Sequence, residues 1–450
     1  MQHSIHKQFW RYTIPTLAAM LVNGLYQVVD GIFIGRVLGA DGLAGINLAW
    51  PVISAVLGLG MLIGVGTGAL VSLRQGEGNT SAAKSELTTG LSVLLGVTPI
   101  VALILWQYND QFLLWQGAQG NALIMGKQYL DVLTVSCVFT LGSICLPFLV
   151  RNDNSPKVAT VMMMIGALAN IVFDYLFIVI LDGELVGAAL ATGVAQMLVM
   201  VSGLYYFFTS RAQLRLSRGG WHIDWRAIPR IFSIGSSSFF MYAYGSVMVG
   251  LHNYLFTEYD SALLIGAYTI IGYIVTVYYL AVEGVASGMQ PLVSFNYGAK
   301  KPGNILRLMN IALVTTIALG LAFIALLNLF PQAIISIFNS NDQALIQSTV
   351  HGIRLHIWAL FLDGMIVIVG TYYQATNRGG KAMFVIVGNM LIQLPYLYLL
   401  PKWYGVAGIW LAYPLSNVTL ALVVGFMLYG ERKRVKAQLV HQEQTMTIPS

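Results

Sequence analysis

Asn170 and Asp174, the ends of the run NIVFD, stand four residues apart and so share one face of any helix that carries them. The residues around them, 158–180, are otherwise almost wholly apolar. A carboxylate at membrane depth costs about 2.5–3.5 kcal/mol on insertion scales and marks a functional site by default. Asp30 and Thr192 belong to the same chemistry if the chain brings them to the same depth. Two carboxylates, an amide and a hydroxyl form an all-oxygen set suited to a hard metal cation such as Na⁺. Close carboxylates also share a proton readily, so H⁺ is an equal candidate. The plain alternative is a hydrogen-bonded packing cluster between helices.

The elements that must position these residues are membrane spans. Of the 450 residues, 57% are hydrophobic and only 9% charged, with a mean hydropathy of +0.72. A soluble domain carries about 25% charged residues, so lipid is the solvent here. Apolar stretches of spanning length fall near 10–35, 44–72, 88–108, 128–149, 157–180, 186–208, 228–256, 262–293, 305–330, 351–374, 382–400 and 405–429. With the N-terminus cytoplasmic, 20 of the 24 basic residues fall in inside loops, among them Arg74, Lys84, Arg211, Arg215, Arg218, Arg226, Arg230, Lys300, Arg378 and Arg432. Only Arg36, Lys127, Arg354 and Lys402 fall outside, a division that follows the positive-inside rule and puts both termini in the cytoplasm. In a membrane chain this excess of positive charge marks loops, and no basic stripe with interleaved aromatics points to nucleic acid. Cys137 and Cys145 share one apolar segment, which argues against a disulfide. The apolar run from Trp10 is too long for a cleaved signal and lacks a cleavage site.

The chain repeats. "GTGALVSLRQGEG" closes the second span and "GMQPLVSFNYGAK" the eighth, and Gly66, Leu70, Val71, Ser72 and Gly76 each recur 222 residues later. The expected organisation is an N-terminal six-helix lobe (1–209), a cytoplasmic linker (210–227), a C-terminal six-helix lobe (228–430) and a basic tail (431–450). That tail is expected to be mobile and near anionic headgroups. Six helices per half make the repeats parallel, and two like lobes around a central cleft are transporter architecture.

At ~1.5 Å rise per residue, Asp174 lies ~24 Å along its outward helix, and Thr192 lies ~9 Å below the outer surface on the returning one. Asp30 reaches the same outer level on the first span. The remaining charges inside spans are Glu283, Asp363 and His252, with Asp131 nearer an end, and no Lys or Arg accompanies any of them. The positive charge they need must therefore come from outside, as a proton, a metal cation or a cationic substrate. Asp363, midway along span ten, either faces a cavity or is a satisfied interhelical partner. Glu283 is either a cavity residue or a contact between lobes, and His252 reads as a packing histidine. Met162, Met163 and Met164 cannot share one helical face and read as ordinary lipid or core contacts. Pro15, in mid-span, removes a backbone hydrogen bond and permits a bend, moving or static.

At these residues the sequence resembles the multidrug and toxic compound extrusion (MATE) family over residues 8–430. The likeness rests on "VDGIFIGRVLG" after span one, "NIVFD" in span five, "VGAALAT" opening span six and "GTYYQATNRGG" ending span ten. Asp30, Asn170, Asp174 and Thr192 look like the N-lobe ion site of the DinF-like branch, with Pro15 at its bending proline. The NorM-like branch couples through a span-seven glutamate and a span-ten aspartate. Asp363 matches the second, but Tyr244 stands where the first would be. The resemblance implies an all-α integral membrane antiporter that exports organic cations and amphipathic drugs against inward H⁺ or Na⁺. It implies substrate contact at Asp363, Glu283 and Tyr244, a monomer in the inner (plasma) membrane, and no cofactor beyond the coupling ion. A flippase for anionic lipid-linked precursors would need Arg or Lys in its cavity. A membrane-embedded enzyme would need a catalytic motif, and none is present.

Overall fold

The computed structural model describes residues 4–116, 119–217, 220–258, 262–338 and 342–447, and every regular element among them is helical. Arg218 and the last three residues of the tail lie outside the described residues. In chain order the helices of the first half are α1 (Ile5–Gly76), α2 (Thr80–Trp115), α3 (Gly120–Asn152), α4 (Pro156–Asp174), α5 (Glu184–Phe208) and α6 (Ala227–Thr257). There follow α7 (Ala262–Gly298), α8 (Pro302–Leu329), the short α9 (Pro331–Ile335), α10 (Gln343–His356), α11 (Leu360–Ala375), α12 (Gly379–Tyr404) and α13 (Val406–Thr447). Lipid leaves no other choice, because a helix bonds its backbone polar groups within its own segment. Local chemistry sets the starts: Asn79 Oδ1 accepts from Ala82 N at 2.9 Å to cap α2, and prolines open α4 and α8.

Ten of the described helical stretches are long and apolar enough to cross a bilayer, and α10 with α11 makes an eleventh. The remaining expected span, 228–256, is α6, long enough but diluted in its first half by Ser233, Ser236, Ser237 and Ser238. Three expectations change. Span ten is not one helix: α10 and α11 meet at 52° across residues 357–359. The first two spans, Ile5–Leu38 and Ala44–Gly76, are joined by helix rather than loop. The tail continues α13 instead of hanging free, because its side chains find partners. Val435 is buried, Glu431 Oε2 accepts from Arg378 Nη1 at 2.6 Å, and Arg432 Nη2 donates to Asn310 Oδ1 at 2.6 Å.

The chain forms two compact units, Ile14–Ala243 in one and Met1–Thr13 with Tyr244–Ser450 in the other. The expected boundary at 210–227 does not coincide with this division, since both α1 and α6 contribute to both units. Within Ile14–Ala243, Gly66 of α1 lies directly against the Ile231 carbonyl of α6, and Gly235 against Leu62. Within the other unit, a methyl on Gly288 of α7 would come 2.7 Å from Thr13 Cα of α1. Gly288 is the 222-residue counterpart of Gly66, and Thr13 of Gly235. Each unit therefore has a seam where the beginning of one half's first helix lies on the second span of the other half. Phe9 and Tyr12 are buried at one seam with Met289, Val293 and Leu308, while Ile231 and Ile234 are buried at the other with Ala69 and Leu70.

The linker is tied down within Ile14–Ala243. Asp153, in the turn between α3 and α4, accepts from the backbone amides of Gln213 and Leu214, each at 2.9 Å, and from the Tyr206 hydroxyl at 2.7 Å. Farther along, Thr88 donates to the His222 carbonyl at 2.5 Å, and Asp224 N donates to Thr89 Oγ1 at 2.9 Å. Glu86, 2% exposed, accepts from Arg74 at 3.3 Å and Arg230 at 3.2 Å, joining α2 to α1 and α6.

Candidate ion site in the first unit

Three helices of Ile14–Ala243 supply the groups that the sequence singles out. The carboxyls of Asp30 on α1 and Asp174 at the end of α4 lie close enough to interact directly with each other. Asn170 Nδ2, one turn before Asp174, donates to Thr192 Oγ1 of α5 at 3.3 Å. The Tyr129 hydroxyl of α3 also meets Thr192 and sits close enough to feel both acids, as does Tyr26 one turn before Asp30. Asn170 is 1% and Asp174 0% exposed.

The hydrogen-bond inventory of this cluster is lopsided. Asp30 Oδ1, Asp174 Oδ1, Asp174 Oδ2 and Asn170 Oδ1 are buried with no donor. All are acceptors. The contact between the two acids is acceptor against acceptor unless a proton lies between them. Buried polar groups are ordinarily satisfied, and a buried charge ordinarily has a partner. These oxygens lack only a cation, and the seven salt bridges among the described residues all lie elsewhere. They could hold Na⁺ through carboxylate and amide oxygens, or a proton on the acid pair.

Local structure explains how Asp174 reaches this position. Immediately after it the helix widens into a π-turn, Tyr175–Ile180, with Leu181 N bonding back to Leu176 O at 3.0 Å and Gly183 N to Phe177 O at 2.8 Å. Such turns frequently mark functional sites in helices. Gly187, opening α5, packs against the Phe177 carbonyl at a distance where a side chain would clash at 2.7 Å. Small residues at this start let α5 approach α4 and bring Thr192 to Asn170. Met162 is buried while Met164 is exposed, as a run wound around a helix must be. Pro15 stands two residues past Thr13, where α1 leaves one unit for the other.

The residues singled out in the second unit form a different kind of cluster. Asp363, 4% exposed, lies in the first turn of α11, just past the break, where the helix dipole favours a negative charge. It is hydrogen-bonded by Tyr279 of α7, Asn389 of α12 and Tyr413 of α13. Its partners are neutral, so the acid's hydrogen bonds are met while its charge is not balanced. The Tyr244 hydroxyl donates to Gln393 of α12 instead of meeting Asp363 directly. Glu283 lies partly buried one turn beyond Tyr279. His252 is a packing histidine: its Nδ1 lies 2.8 Å from the Met248 carbonyl and its ring stacks on Tyr268 at 4.9 Å.

Sequence reasoning missed Tyr129, Tyr279, Asn389 and Tyr413. Tyr26 carried a signal, the four-residue spacing to Asp30, but the others reach their acids from separate helices. A tyrosine in an apolar helix is too common to stand out.

Comparison with known proteins places this geometry. A family model described as MatE matches residues 15–176 and again 237–399, two stretches that begin 222 residues apart. The multidrug export protein MepA of Staphylococcus aureus (strain NCTC 8325 / PS 47) is 24% identical over 439 residues, covering 96% of this chain and 95% of that protein. A solved outward-facing conformation of a multidrug resistance MATE family transporter of the MOP superfamily superposes with a TM-score of 0.90 at 22% identity, covering 97% of each chain. A solved structure of the MATE multidrug transporter DinF-BH superposes at 0.89 with 26% identity, covering 96% of this chain and 97% of that one. Likeness of this extent fixes the fold as an all-α, twelve-span membrane protein with two six-helix lobes.

Proposed function

The chain belongs to the MatE family, and from that premise we propose that it exports amphipathic, often cationic small molecules in exchange for an inward flow of H⁺ or Na⁺. It is a multi-pass membrane transporter, not an enzyme. The export direction and drug-like substrate class are supported by the relative named as a multidrug export protein. The distribution of basic residues supports placing both termini in the cytoplasm, with the chain in the plasma membrane.

One observation carries the coupling assignment: Asp30 and Asp174 touch in a buried cluster whose four unpartnered oxygens are all acceptors. A cation arriving from outside completes that cluster, and its departure leaves the acids opposed. The two ion occupancies therefore favour different arrangements of the helices that carry the acids, α1 above all. The ion drives transport only by its difference in affinity for those arrangements, and a hundredfold difference corresponds to about 2.7 kcal/mol. In this reading Asp30, Asn170, Asp174 and Thr192 take the ion and Pro15 lets α1 rearrange. Asp363, with Glu283 and Tyr244, attracts the substrate cation, which supplies the counter-charge that the three neutral partners of Asp363 do not.

The test is uptake of a fluorescent organic cation into inverted vesicles, the export direction in that orientation, under an imposed pH gradient and, separately, under a Na⁺ gradient. Wild type is run beside Asp174→Asn at matched levels of folded protein. Transport driven by one gradient and abolished by the substitution is the expected result, and the responding gradient names the ion. Unimpaired transport by Asp174→Asn would remove the acid pair from the coupling step and leave Asp363 as the candidate.

A further inference from the structure

At the end of Ile14–Ala243 that carries its basic loops, a depression of about 540 Å³ opens between the start of α2 and the segment after α5, lined by Lys84, Phe208, Arg215, Leu216 and Ser217. We propose that this depression is a binding site for a phospholipid with an anionic phosphate headgroup, taken from the adjoining leaflet.

The segment that forms one wall is built rather than loose. Residues 211–217 alternate, with Ala212, Leu214 and Leu216 buried and Arg211, Gln213, Arg215 and Ser217 exposed, so every second side chain of this turn-containing segment anchors it on the core. Asp153 holds it through the Gln213 and Leu214 amides, and Leu216 N donates to the Phe207 carbonyl at 2.8 Å. Arg215 Nε is fixed on the Phe208 carbonyl at 3.2 Å, which leaves the outer edge of its guanidinium for a ligand.

Charge decides what that ligand is. The carboxylates at this end are already taken: Glu77 by Arg74, Glu86 by Arg74 and Arg230, and Asp224 by Arg230. Neither Lys84 nor Arg215 has a carboxylate partner among the described residues. Two cations and a serine hydroxyl around one depression suit a phosphate, which guanidinium groups engage through paired N–H donors.

Apolar surface decides where the phosphate comes from. Val201, Tyr205 and Phe208 are 55%, 69% and 52% exposed and run along one face of α5, spaced four and three residues apart. This stripe lies on a membrane-spanning helix and ends at the depression, so an acyl chain lying along it delivers its headgroup to Lys84 and Arg215. Exposed Trp221 and Trp225 on the same linker suit the same interfacial level. Basic pockets beside spanning helices bind anionic headgroups, each cation contributing about fivefold in affinity near the surface.

The experiment is native mass spectrometry of the purified full chain in detergent, titrated with phosphatidylglycerol or with phosphatidylcholine of the same acyl chains. Wild type should retain phosphatidylglycerol in preference. The double variant Lys84→Ala/Arg215→Ala should lose about thirtyfold in that affinity, with phosphatidylcholine unchanged. Lys84→Arg should keep the preference, and Arg226→Ala, an exposed cation of the linker outside the depression, should not reduce it. Arg215 is exposed and Lys84 half-buried at the wall of the depression, and thermal unfolding in detergent should match wild type. An undiminished preference in the double variant overturns the site, as does an equal loss in Arg226→Ala. Glycerol 1-phosphate binding as tightly as the lipid would overturn the lipid assignment in favour of a soluble phosphate ester.

Discussion

Gly288→Ala puts a methyl group 2.7 Å from Thr13 Cα and 2.9 Å from Thr13 Oγ1, against an ordinary closest approach of 3.4 Å. Helix α7 and the start of α1 must then separate by several tenths of an ångström, or the residues of α1 before Thr13 must detach. Detachment would expose Phe9, 0% exposed, and Tyr12, 6% exposed. Both side chains would lose the close packing that holds helices together in lipid, dozens of dispersion contacts of about 0.1–0.2 kcal/mol each. Overpacking a tight contact costs about 1–3 kcal/mol, so the seam strains and does not open. Alanine also favours the helix over glycine by about 1 kcal/mol, leaving a net loss of about 0–2 kcal/mol. Gly272→Ala on the same helix is the reference, because Gly272 is exposed and a methyl there meets nothing within 4 Å. It should gain the helix term alone. The two variants should differ by about 1–3 kcal/mol, on the order of 5 °C in unfolding temperature for a unit of this size. Thermal unfolding in detergent, followed by tryptophan fluorescence, reads this difference directly. If Gly288→Ala unfolds at or above the temperature of Gly272→Ala, the close packing at this seam is refuted, and the symmetry argument linking it to Gly66 fails with it.

Glu86→Gln should destabilise the protein by about 1–2 kcal/mol, less than a fully buried ion pair because Arg74 and Arg230 remain 25% and 32% exposed. Thermal unfolding checks it, and raised salt should narrow the gap between variant and wild type. Asp153→Ala removes the acceptor for two backbone amides and a tyrosine hydroxyl, so tryptic cleavage at Arg211 and Arg215 should accelerate about tenfold or more. An unchanged cleavage rate would mean that the buried leucines alone hold this segment.

The fold was legible because lipid makes sequence simple to read. Apolar stretches of spanning length, the inside bias of Arg and Lys, and the 222-residue recurrence around Gly66 and Gly288 point to twelve helices in two related halves. The acids of the buried polar cluster were legible for the same reason, since Asp174 or Asp30 stands out in an apolar helix where Tyr129 does not. Element boundaries were less so. Nothing in the apolar run of span ten announced its 52° break, beside which the Leu360 carbonyl accepts from the Tyr278 hydroxyl of α7 at 3.1 Å and His356 Nδ1 lies 3.0 Å from the Trp410 carbonyl of α13.

By itself, then, the sequence determined the solvent, the number of the spans, and the identity of the acids without a cation. Each follows from composition and from spacing along one helix. Tertiary structure alone decided which oxygens meet: Asp30 with Asp174, and Asn170 with Thr192 in the first unit. It also decided that Asp363 is satisfied by Tyr279, Asn389 and Tyr413, and that the polar tail is held as helix. These contacts depend on how each helix is rotated and how closely its neighbours approach. Those quantities are set by small residues such as Gly187 and by a single widened turn after Asp174, and no linear pattern of residue types records them.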